Sequence, residues 1–305
     1  MDISSLSRRE ALSGAAVAAG AVGGGALVGE RLGFDPLGMG GPSGDPTLAA
    51  CSFNVLHETS DSEFPWEPRL PRVVDAIERI DAELLGLQEI MPEQRSDLRA
   101  ALDGYEWYGR GREGGDESEA VPVVWSADRF EARDRGDFWL SSTPGEPSAG
   151  WGAPNRRVAT WVSLTDGNTG TDIWFCNTHF SWADEETRLR SAELVRRRAV
   201  ERAEGGESVV LTGDLNAEPE SPAHRRLTGA SETRSSPLAD GRRTADADSV
   251  SGPSRTYHDF SDDLEDRVDY AFVPREADVL GYRTLGIREE GYRSDHLPVV
   301  ARFRL

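Results

Sequence analysis

The stretch from Ser208 to Pro219 carries the two residues whose spacing most clearly suggests chemistry. An apolar run at 209–211 is followed by Gly213 and a polar turn, the pattern of a buried strand that ends at a sheet edge. Asp214 and Asn216 stand two positions apart, so their side chains point the same way on an extended chain. A carboxylate beside an amide suits a site that handles water and an anionic oxygen, although a strand followed by an Asx turn gives the same pattern.

Comparable polar residues follow other predicted buried strands. Each has an ordinary structural explanation when it is taken alone, such as a turn residue or a histidine satisfied in the core. As a set they would supply a carboxylate for a hard cation, amide and imidazole groups for phosphoryl oxygens, and groups for proton transfer. The candidate residues are Asn54, Glu89, His179, Asp214, Asn216, Asp269, Asp295 and His296.

The elements that must position these residues alternate between strands and helices, which favours sheets covered by helices. Helices are predicted over 70–80 and 185–203 from their apolar spacing, and from Pro92 to about residue 102. Strands are predicted over 47–56, 84–90, 105–109, 121–126, 130–140, 158–164, 173–180, 208–216, 268–273 and 297–303.

Two segments have no regular pattern. The proline-containing stretch 141–155 is predicted to be an irregular loop in contact with substrate, with Trp139 and Trp151 available for stacking. The stretch 231–255 is polar and rich in Ser, Gly and Pro, so we expect it to be the least ordered part of the mature chain.

The charge of the chain limits its partners. The 305 residues include 54 acidic and 34 basic residues, all of the latter Arg, and the formal net charge is -20. An acidic chain without Lys resembles proteins of salt-saturated environments, where the Debye length falls to about 3 Å. The composition therefore argues against a broad basic nucleic-acid groove but does not exclude a phosphate substrate.

The N-terminal region predicts export. Arg8 and Arg9 precede a weakly apolar run rich in Ala and Gly, which resembles a twin-arginine signal, with a disordered tail as the alternative. We expect a signal segment at 1–29, a flexible linker at 30–46 and one folded domain at 47–305. The run is too Gly-rich for a stable membrane span.

Seven short motifs follow one another along the chain. They are Phe53-Asn54-Val55, Gly86-Leu87-Gln88-Glu89, Arg157-Val158-Ala159-Thr160-Trp161, Asn177-Thr178-His179, Gly213-Asp214-Leu215-Asn216, Arg267-Val268-Asp269-Tyr270 and Ser294-Asp295-His296-Leu297-Pro298-Val299. The wording and order of these motifs resemble the metal-dependent endonuclease/exonuclease/phosphatase superfamily. The resemblance covers residues 50 to 305 and implies an α+β fold. That fold is a four-layer α/β/β/α sandwich, in which two mixed β-sheets pack face to face with helices outside.

The family pattern implies a role for each candidate. Glu89 would be the principal ligand of Mg²⁺, with Mn²⁺ as an alternative, and Asn54 and Asp295 would lie at the same metal. His179 and Asn216 would hold the non-bridging phosphate oxygens.

The remaining candidates would move protons or bind the phosphate. Asp214 would orient or deprotonate the attacking water, and His296, aligned by Asp269, would stabilise or protonate the phosphorane. Which of Asp214 and His296 is the base stays open. Arg157 and Arg188 could reach the phosphate, although surface ion pairs would explain both.

The motifs predict a reaction and leave the substrate open. We expect an exported, Mg²⁺-dependent phosphodiester hydrolase of nuclease type that acts on nucleic acid or a small phosphodiester, without an implied protein partner. The alternatives are a phosphomonoesterase or lipid-headgroup phosphodiesterase on the same site, and a catalytically silent binding module. His57 and His258 lie near motifs and could touch substrate. Cys51 and Cys176 are expected to be buried thiols, which an exported protein could pair.

Overall fold

The structure, a computed structural model, describes residues 46–59, 62–229, 236–287 and 291–305. The predicted signal segment, and the predicted linker up to residue 45, lie outside the described residues.

The strands are β1 (Leu48–Asn54), β2 (Leu84–Gln88), β3 (Tyr105–Tyr108), β4 (Val123–Ser126), β5 (Phe130–Trp139), β6 (Val158–Asp166), β7 (Asp172–His179), β8 (Ser208–Asp214), β9 (Leu238–Asp240), β10 (Val250–Ser251), β11 (Asp269–Pro274), β12 (Asp278–Thr284) and β13 (Val299–Arg304). The helices are α1 (Trp66–Ile80), α2 (Pro92–Ala101), α3 (Glu185–Glu204), α4 (Pro222–Thr228) and α5 (Gly241–Thr244), with a 3₁₀ turn at Ala247–Ser249.

The strands form two mixed sheets. Within the described ranges, one sheet has the order β10-β12-β13-β1-β2-β4-β3 and the other β5-β6-β7-β8-β11-β9. β1 runs parallel to β2 and β7 runs parallel to β8, whereas β13 and β11 are antiparallel to their neighbours β1 and β8. The carboxyl ends of the four parallel strands and the starts of β11 and β13 therefore lie at one end of their sheets.

Apolar side chains fill the space between the sheets and beneath the helices. Leu84 of the first sheet and Phe175 and Val210 of the second belong to one buried cluster. Ile77 of α1 packs in a second cluster on the outer face of the first sheet, and Val195 of α3 packs in a third on the outer face of the second. The predicted four-layer α/β/β/α sandwich is confirmed.

A polar link joins the two sheets near the end where the parallel strands finish. The Asn177 amide nitrogen donates to the Leu87 carbonyl at 2.7 Å, and its oxygen accepts from Gln88 at 2.7 Å. Gly86 makes room for this contact, because a Cβ there would lie 2.0 Å from Thr212 Oγ1 and 2.6 Å from Asn177 Oδ1. The sheets therefore stay in a fixed register beside the strand ends.

The stretch 231–255 was expected to be the least ordered part of the mature chain, and this is wrong for 236–255; residues 231–235 lie outside the described residues. Residues 236–255 contain β9, α5 and β10. The Asp240 carboxylate accepts from Arg267 at 2.6 Å and contacts His224 at 3.0 Å, so long-range pairing orders a polar segment. The sequence analysis also missed β12 and α4, although Ser221 caps α4 by accepting from a backbone N–H of its first turn.

The two cysteines are buried and unpaired, as expected for small apolar side chains. Cys51 lies in β1 and Cys176 in β7, so they belong to different sheets. In the described part of the chain, none of the helices combines the length and the apolar character needed to cross a bilayer.

Candidate active site

A cleft of about 710 Å³ opens where the strand ends meet. Asn54, at the end of β1, donates to Asp214, at the end of β8, across 3.0 Å, which joins the ends of the two sheets. Asn54 and Asp269 are fully buried and hydrogen-bond to residues that line the cleft. The structure thus brings together all eight polar candidates, of which the lining residues are Glu89, His179, Asp214, Asn216, Asp295 and His296.

Two of these residues leave their strands through left-handed backbone turns. Glu89 has φ 61° and Asn216 has φ 47°, a region that costs a non-glycine residue about 1–3 kcal/mol. The Asn216 main-chain N–H donates to Asp214 Oδ1 at 2.8 Å, so the turn also fixes that carboxylate. The strained turns carry both side chains out of the strand alternation and into the cleft.

The Glu89 carboxylate is held by donors on both oxygens. Asn54 Nδ2 donates to Oε1 at 3.0 Å, while the backbone N–H of His57, at 3.1 Å, and its ring Nδ1 both reach Oε2. Burial alone would raise the pKa of Glu89, but the hydrogen bonds from His57 and Asn54 help to hold it well below its ordinary value. Glu89 is therefore ionised at neutral pH. His57, which the sequence analysis only suspected, contacts it directly.

The Asp214 carboxylate sits in a different environment. It accepts hydrogen bonds from Asn54 and from the Asn216 backbone, and it is 1% exposed. Burial raises the pKa of Asp214, and the attraction of His296 only partly opposes this. A carboxylate whose pKa is raised toward neutrality can exchange a proton near neutral pH.

His296 and Asp269 form a buried pair beside it. His296 Nδ1 lies 2.8 Å from Asp269 Oδ2, and His296 Nε2 lies 3.8 Å from Asp214 Oδ2. Burial would lower the pKa of His296, but the carboxylates of Asp269 and Asp214 raise it well above its ordinary value. His296 is therefore an imidazolium at neutral pH, and the Tyr257 ring lies against it at 5.0 Å.

The pKa of His179 is shifted in the opposite direction to that of His296. Burial, and then the neighbouring Arg157 guanidinium, lower its pKa well below the ordinary value, so the ring is neutral. Asn216 Nδ2 donates to His179 Nε2 at 3.0 Å, and Asn216 also donates to the Phe180 carbonyl at 3.1 Å. The two predicted phosphate-binding residues are thus coupled to each other.

The donor set fits a hard divalent cation. Burial raises the pKa of Asp295, the charge of His296 opposes this shift, and the like charge of Glu89 adds to it. Both carboxylates line the cleft. Carboxylate oxygens without a cysteine or histidine cage are typical of Mg²⁺ and Mn²⁺ sites. Asp214, Asp269 and His296 also bring ligand atoms within 4.8 Å of one another, but a hydrogen bond joins His296 to Asp269. Glu89 and Asp295, whose carboxylates line the cleft, could hold such a cation, and Asn54, the third predicted metal residue, donates to Glu89.

The two predicted arginines behave differently. Arg157 lines the cleft and is 8% exposed. Arg188 is not among the described residues that line the cleft. Its guanidinium donates to the carbonyls of Ser181, at 3.4 Å, and Trp182, at 2.9 Å. Arg157 therefore lies at the cleft, whereas Nη1 of Arg188 bonds to main-chain carbonyls; phosphate binding by either arginine stays a prediction.

The expected substrate loop contributes little to the cleft. Of residues 141–155, Asn155 lines the cleft. Trp139, just before this loop, is 1% exposed, and Trp151 packs against the apolar cluster on the outer face of the second sheet. Among the described residues that line the cleft, the exposed aromatic side chain is Trp182, at 62% exposure.

The sequence analysis missed Trp182, and it also missed Arg112, Glu119 and Tyr257 as cleft residues. A tryptophan three residues after the His179 motif was the available signal for Trp182. No local signal marked the other three.

This arrangement agrees with the comparisons with known proteins. The model of the Endonuclease/Exonuclease/phosphatase family matches residues 51–296. The chain belongs to this family. Members are metal-dependent hydrolases of phosphoric esters, so this family member is a metal-dependent phosphoric ester hydrolase and the prediction of an enzyme is confirmed.

Solved structures of relatives share the whole fold. An endonuclease/exonuclease/phosphatase from Bacteroides vulgatus is 31% identical, with 86% of this chain and 100% of that chain covered and a TM-score of 0.78. A mannosyl-6-phosphatase from Bacteroides thetaiotaomicron VPI-5482 is 28% identical, with 85% and 100% covered and a TM-score of 0.77. The uncharacterised protein L388 of Acanthamoeba polyphaga mimivirus is 23% identical over 174 residues, which span 54% of this chain and 65% of that protein.

Proposed function

We propose that this family member hydrolyses phosphate esters of small molecules, with phosphate monoesters preferred. The observation that carries the proposal is the distribution of charge in the cleft. Arg112, Arg157 and His296 supply positive charge within it, while four further carboxylates line the same cleft, namely Glu58, Glu113, Glu117 and Asp266. A single phosphate can enter between these groups, but the neighbouring phosphates of a nucleic acid would meet like charge.

The relatives support a small substrate. One solved structure that covers 85% of this chain at 28% identity is a mannosyl-6-phosphatase, a name that describes that protein. The exposed Trp182 ring at the cleft offers a face on which a sugar or base could stack. Phosphodiester hydrolysis of nuclease type, the first expectation from sequence, is kept as the second candidate because the same catalytic groups serve in-line attack on either ester.

The residues divide the proton transfers between them. Asp214, with its raised pKa, accepts a proton from the attacking water. His296, kept protonated by Asp269, gives a proton to the leaving oxygen. His179 and Asn216 orient the phosphoryl oxygens by exchanging their mutual contact for the substrate. A divalent cation held by Glu89 and Asp295, when bound, would neutralise charge that grows on these oxygens.

The test is a substrate panel with the full chain in Mg²⁺, Mn²⁺ or chelator, at low and at molar salt. The panel holds p-nitrophenyl phosphate, hexose 6-phosphates, bis-p-nitrophenyl phosphate and plasmid DNA. We expect metal-dependent release of phosphate from the monoesters, its loss in Glu89→Gln, and unchanged activity in the control Glu93→Gln, whose site is exposed on α2. Efficient cleavage of DNA with no monoester turnover would favour the second candidate.

Export and the identity of the metal complete the proposal. The pair Arg8 and Arg9 supports export by the twin-arginine route, and the carboxylate donor set supports Mg²⁺, with Mn²⁺ as the alternative. Cell fractionation of an Arg8→Lys, Arg9→Lys double variant tests export, since retention inside the cell is expected. Calorimetric titration of both ions into the full chain and into Glu89→Gln tests the metal.

A further inference from the structure

The loop between β3 and β4 brings an additional cation to the cleft. Arg112 Nη1 lies 2.7 Å from Glu119 Oε2, and Arg157 Nη1 lies 3.6 Å from Oε1 of the same carboxylate. One carboxylate therefore stands between two guanidinium groups, and all three side chains line the cleft together with His179. The trio carries a net charge of plus one when Glu119 is ionised.

The position of Arg112 is fixed by its backbone. Its N–H donates to the Glu119 carbonyl at 2.8 Å, and its own carbonyl accepts from the Trp139 indole N–H at 2.7 Å. Gly111 and Ala120 form an antiparallel bridge just beside this contact. This Gly- and Glu-rich stretch is thus a closed turn. Because the turn is already ordered, Arg112 can bind a ligand without the entropy loss of ordering an open loop.

Arg157 has donor capacity to spare. Its side chain is 9% exposed, and among the described residues its buried Nη1 makes no hydrogen bond. Burial lowers the pKa of this guanidinium, and the charges of Glu119 and Glu89 only partly oppose the shift. A buried cation with an unused N–H in a cleft is suited to an anionic ligand.

We propose that Arg112 and Arg157, bridged by Glu119, form a dianion subsite that selects phosphate monoesters over diesters. This inference rests on the proposed function. A monoester carries close to two negative charges above pH 7 and three terminal oxygens, whereas a diester carries one charge and two such oxygens. Arg157 offers an unused N–H to one terminal oxygen, and the planar fork of Arg112 adds donors for the others. Arg112 is therefore a specificity-determining residue.

The matched test compares Arg112→Gln with Arg110→Gln. Arg110 belongs to the same loop, pairs with Asp137 at 3.0 Å and stacks on Trp139, but it does not line the cleft. For Arg112→Gln we expect kcat/KM to fall about ten- to a hundredfold on p-nitrophenyl phosphate, the range of a lost charged hydrogen bond, and to change by less than about threefold on bis-p-nitrophenyl phosphate. Arg110→Gln should match the wild type on both.

A binding measurement separates this inference from the proposed function. Calorimetry at pH 8 compares inorganic phosphate, a dianion, with dimethyl phosphate, a monoanion. Arg112→Gln should weaken phosphate binding about tenfold and leave dimethyl phosphate unchanged. If Arg112→Gln weakens the binding of phosphate alone, but the wild type hydrolyses no ester, the subsite is supported and the proposed function is refuted.

The inference itself is overturned if Arg112→Gln affects both anions equally, or if it behaves as Arg110→Gln does. Arg112→Lys guards against misfolding, because it keeps the charge beside Glu119 and loses the planar fork. It should give an intermediate loss for phosphate. An Arg112→Lys protein with wild-type selectivity would also refute the proposed role of the fork.

Discussion

Replacing Asp269 by Asn removes one charge from the centre of the proposed mechanism and keeps the shape of the side chain. Asp269 is fully buried at the start of β11, and its Oδ2 accepts from His296 Nδ1 at 2.8 Å. Burial works against the His296 imidazolium, and the Asp269 carboxylate is the largest influence that favours it. In Asp269→Asn we therefore expect the pKa of His296 to fall.

The size of the effect follows from the hydrogen bond. A bond to a charged partner contributes about 1.5–3 kcal/mol and a neutral one about 1, so the imidazolium loses about 1–2 kcal/mol. Since 1.36 kcal/mol is one pKa unit, the pKa of His296 should fall by about one unit or more. A general acid must be protonated, so activity falls as pH rises through this pKa. In Asp269→Asn the alkaline limb of the pH–rate profile should therefore move to lower pH. At neutral pH kcat should fall about five- to thirtyfold, the factor that corresponds to about 1–2 kcal/mol.

The assay is a pH–rate profile with saturating metal, and the chain offers a matched control. Asp240 is also a buried carboxylate that contacts a histidine ring, His224 at 3.0 Å, but neither residue lines the cleft. Asp240→Asn should lower stability and leave the profile in place. An alkaline limb that stays where it is in Asp269→Asn would refute the assignment of His296 as the acid.

Three further substitutions test other parts of the structure. Trp182→Ala should raise KM for esters with a ring-shaped leaving group about fivefold or more and leave KM for methyl phosphate unchanged, because stacking contributes about 1–3 kcal/mol. Asp240→Asn should cost about 3–5 kcal/mol at neutral pH by breaking a buried pair, measured by urea unfolding. Burial would raise the pKa of Asp240, but its histidine and arginine partners hold it below the ordinary value, so this contribution is present above about pH 4 and disappears as pH falls through the lowered folded pKa. Gly86→Ala should lower Tm, because its Cβ would lie 2.0 Å from Thr212 Oγ1, and overpacking costs about 1–3 kcal/mol.

Each of these has an outcome that contradicts it. Equal KM changes for ring-bearing and methyl esters would show that Trp182 does not stack on the leaving group. A stability difference for Asp240→Asn that persists unchanged at pH 2 would exclude the linkage with its ionisation. A Gly86→Ala protein with the wild-type Tm would mean that the sheets can separate there at no cost. Gly145→Ala is the control, because a Cβ at 145 meets nothing within 4 Å.

Local patterns in the sequence were sufficient for the strand ends. Apolar runs cut off by polar residues placed Asn54, His179 and Asp214 at the ends of buried strands, and β1, β7 and β8 end at these residues. Alternation and helical spacing depend on near neighbours alone, so one sequence can display them. The same patterns missed β12 and misjudged the polar segment 236–255, whose order depends on partners elsewhere in the chain.

What the sequence alone determined is the set of chemical groups and the strand that carries each one. Only the tertiary structure decided which groups meet: Asn54 reaches Asp214 across 160 positions of chain, and the β8–β11 register sets Asp269 opposite Asp214. It also placed Arg112 in the cleft and left Arg188 outside. Side-chain proximity and burial arise from long-range strand pairing, and burial and neighbouring charges then set each pKa, which no local run of residues specifies.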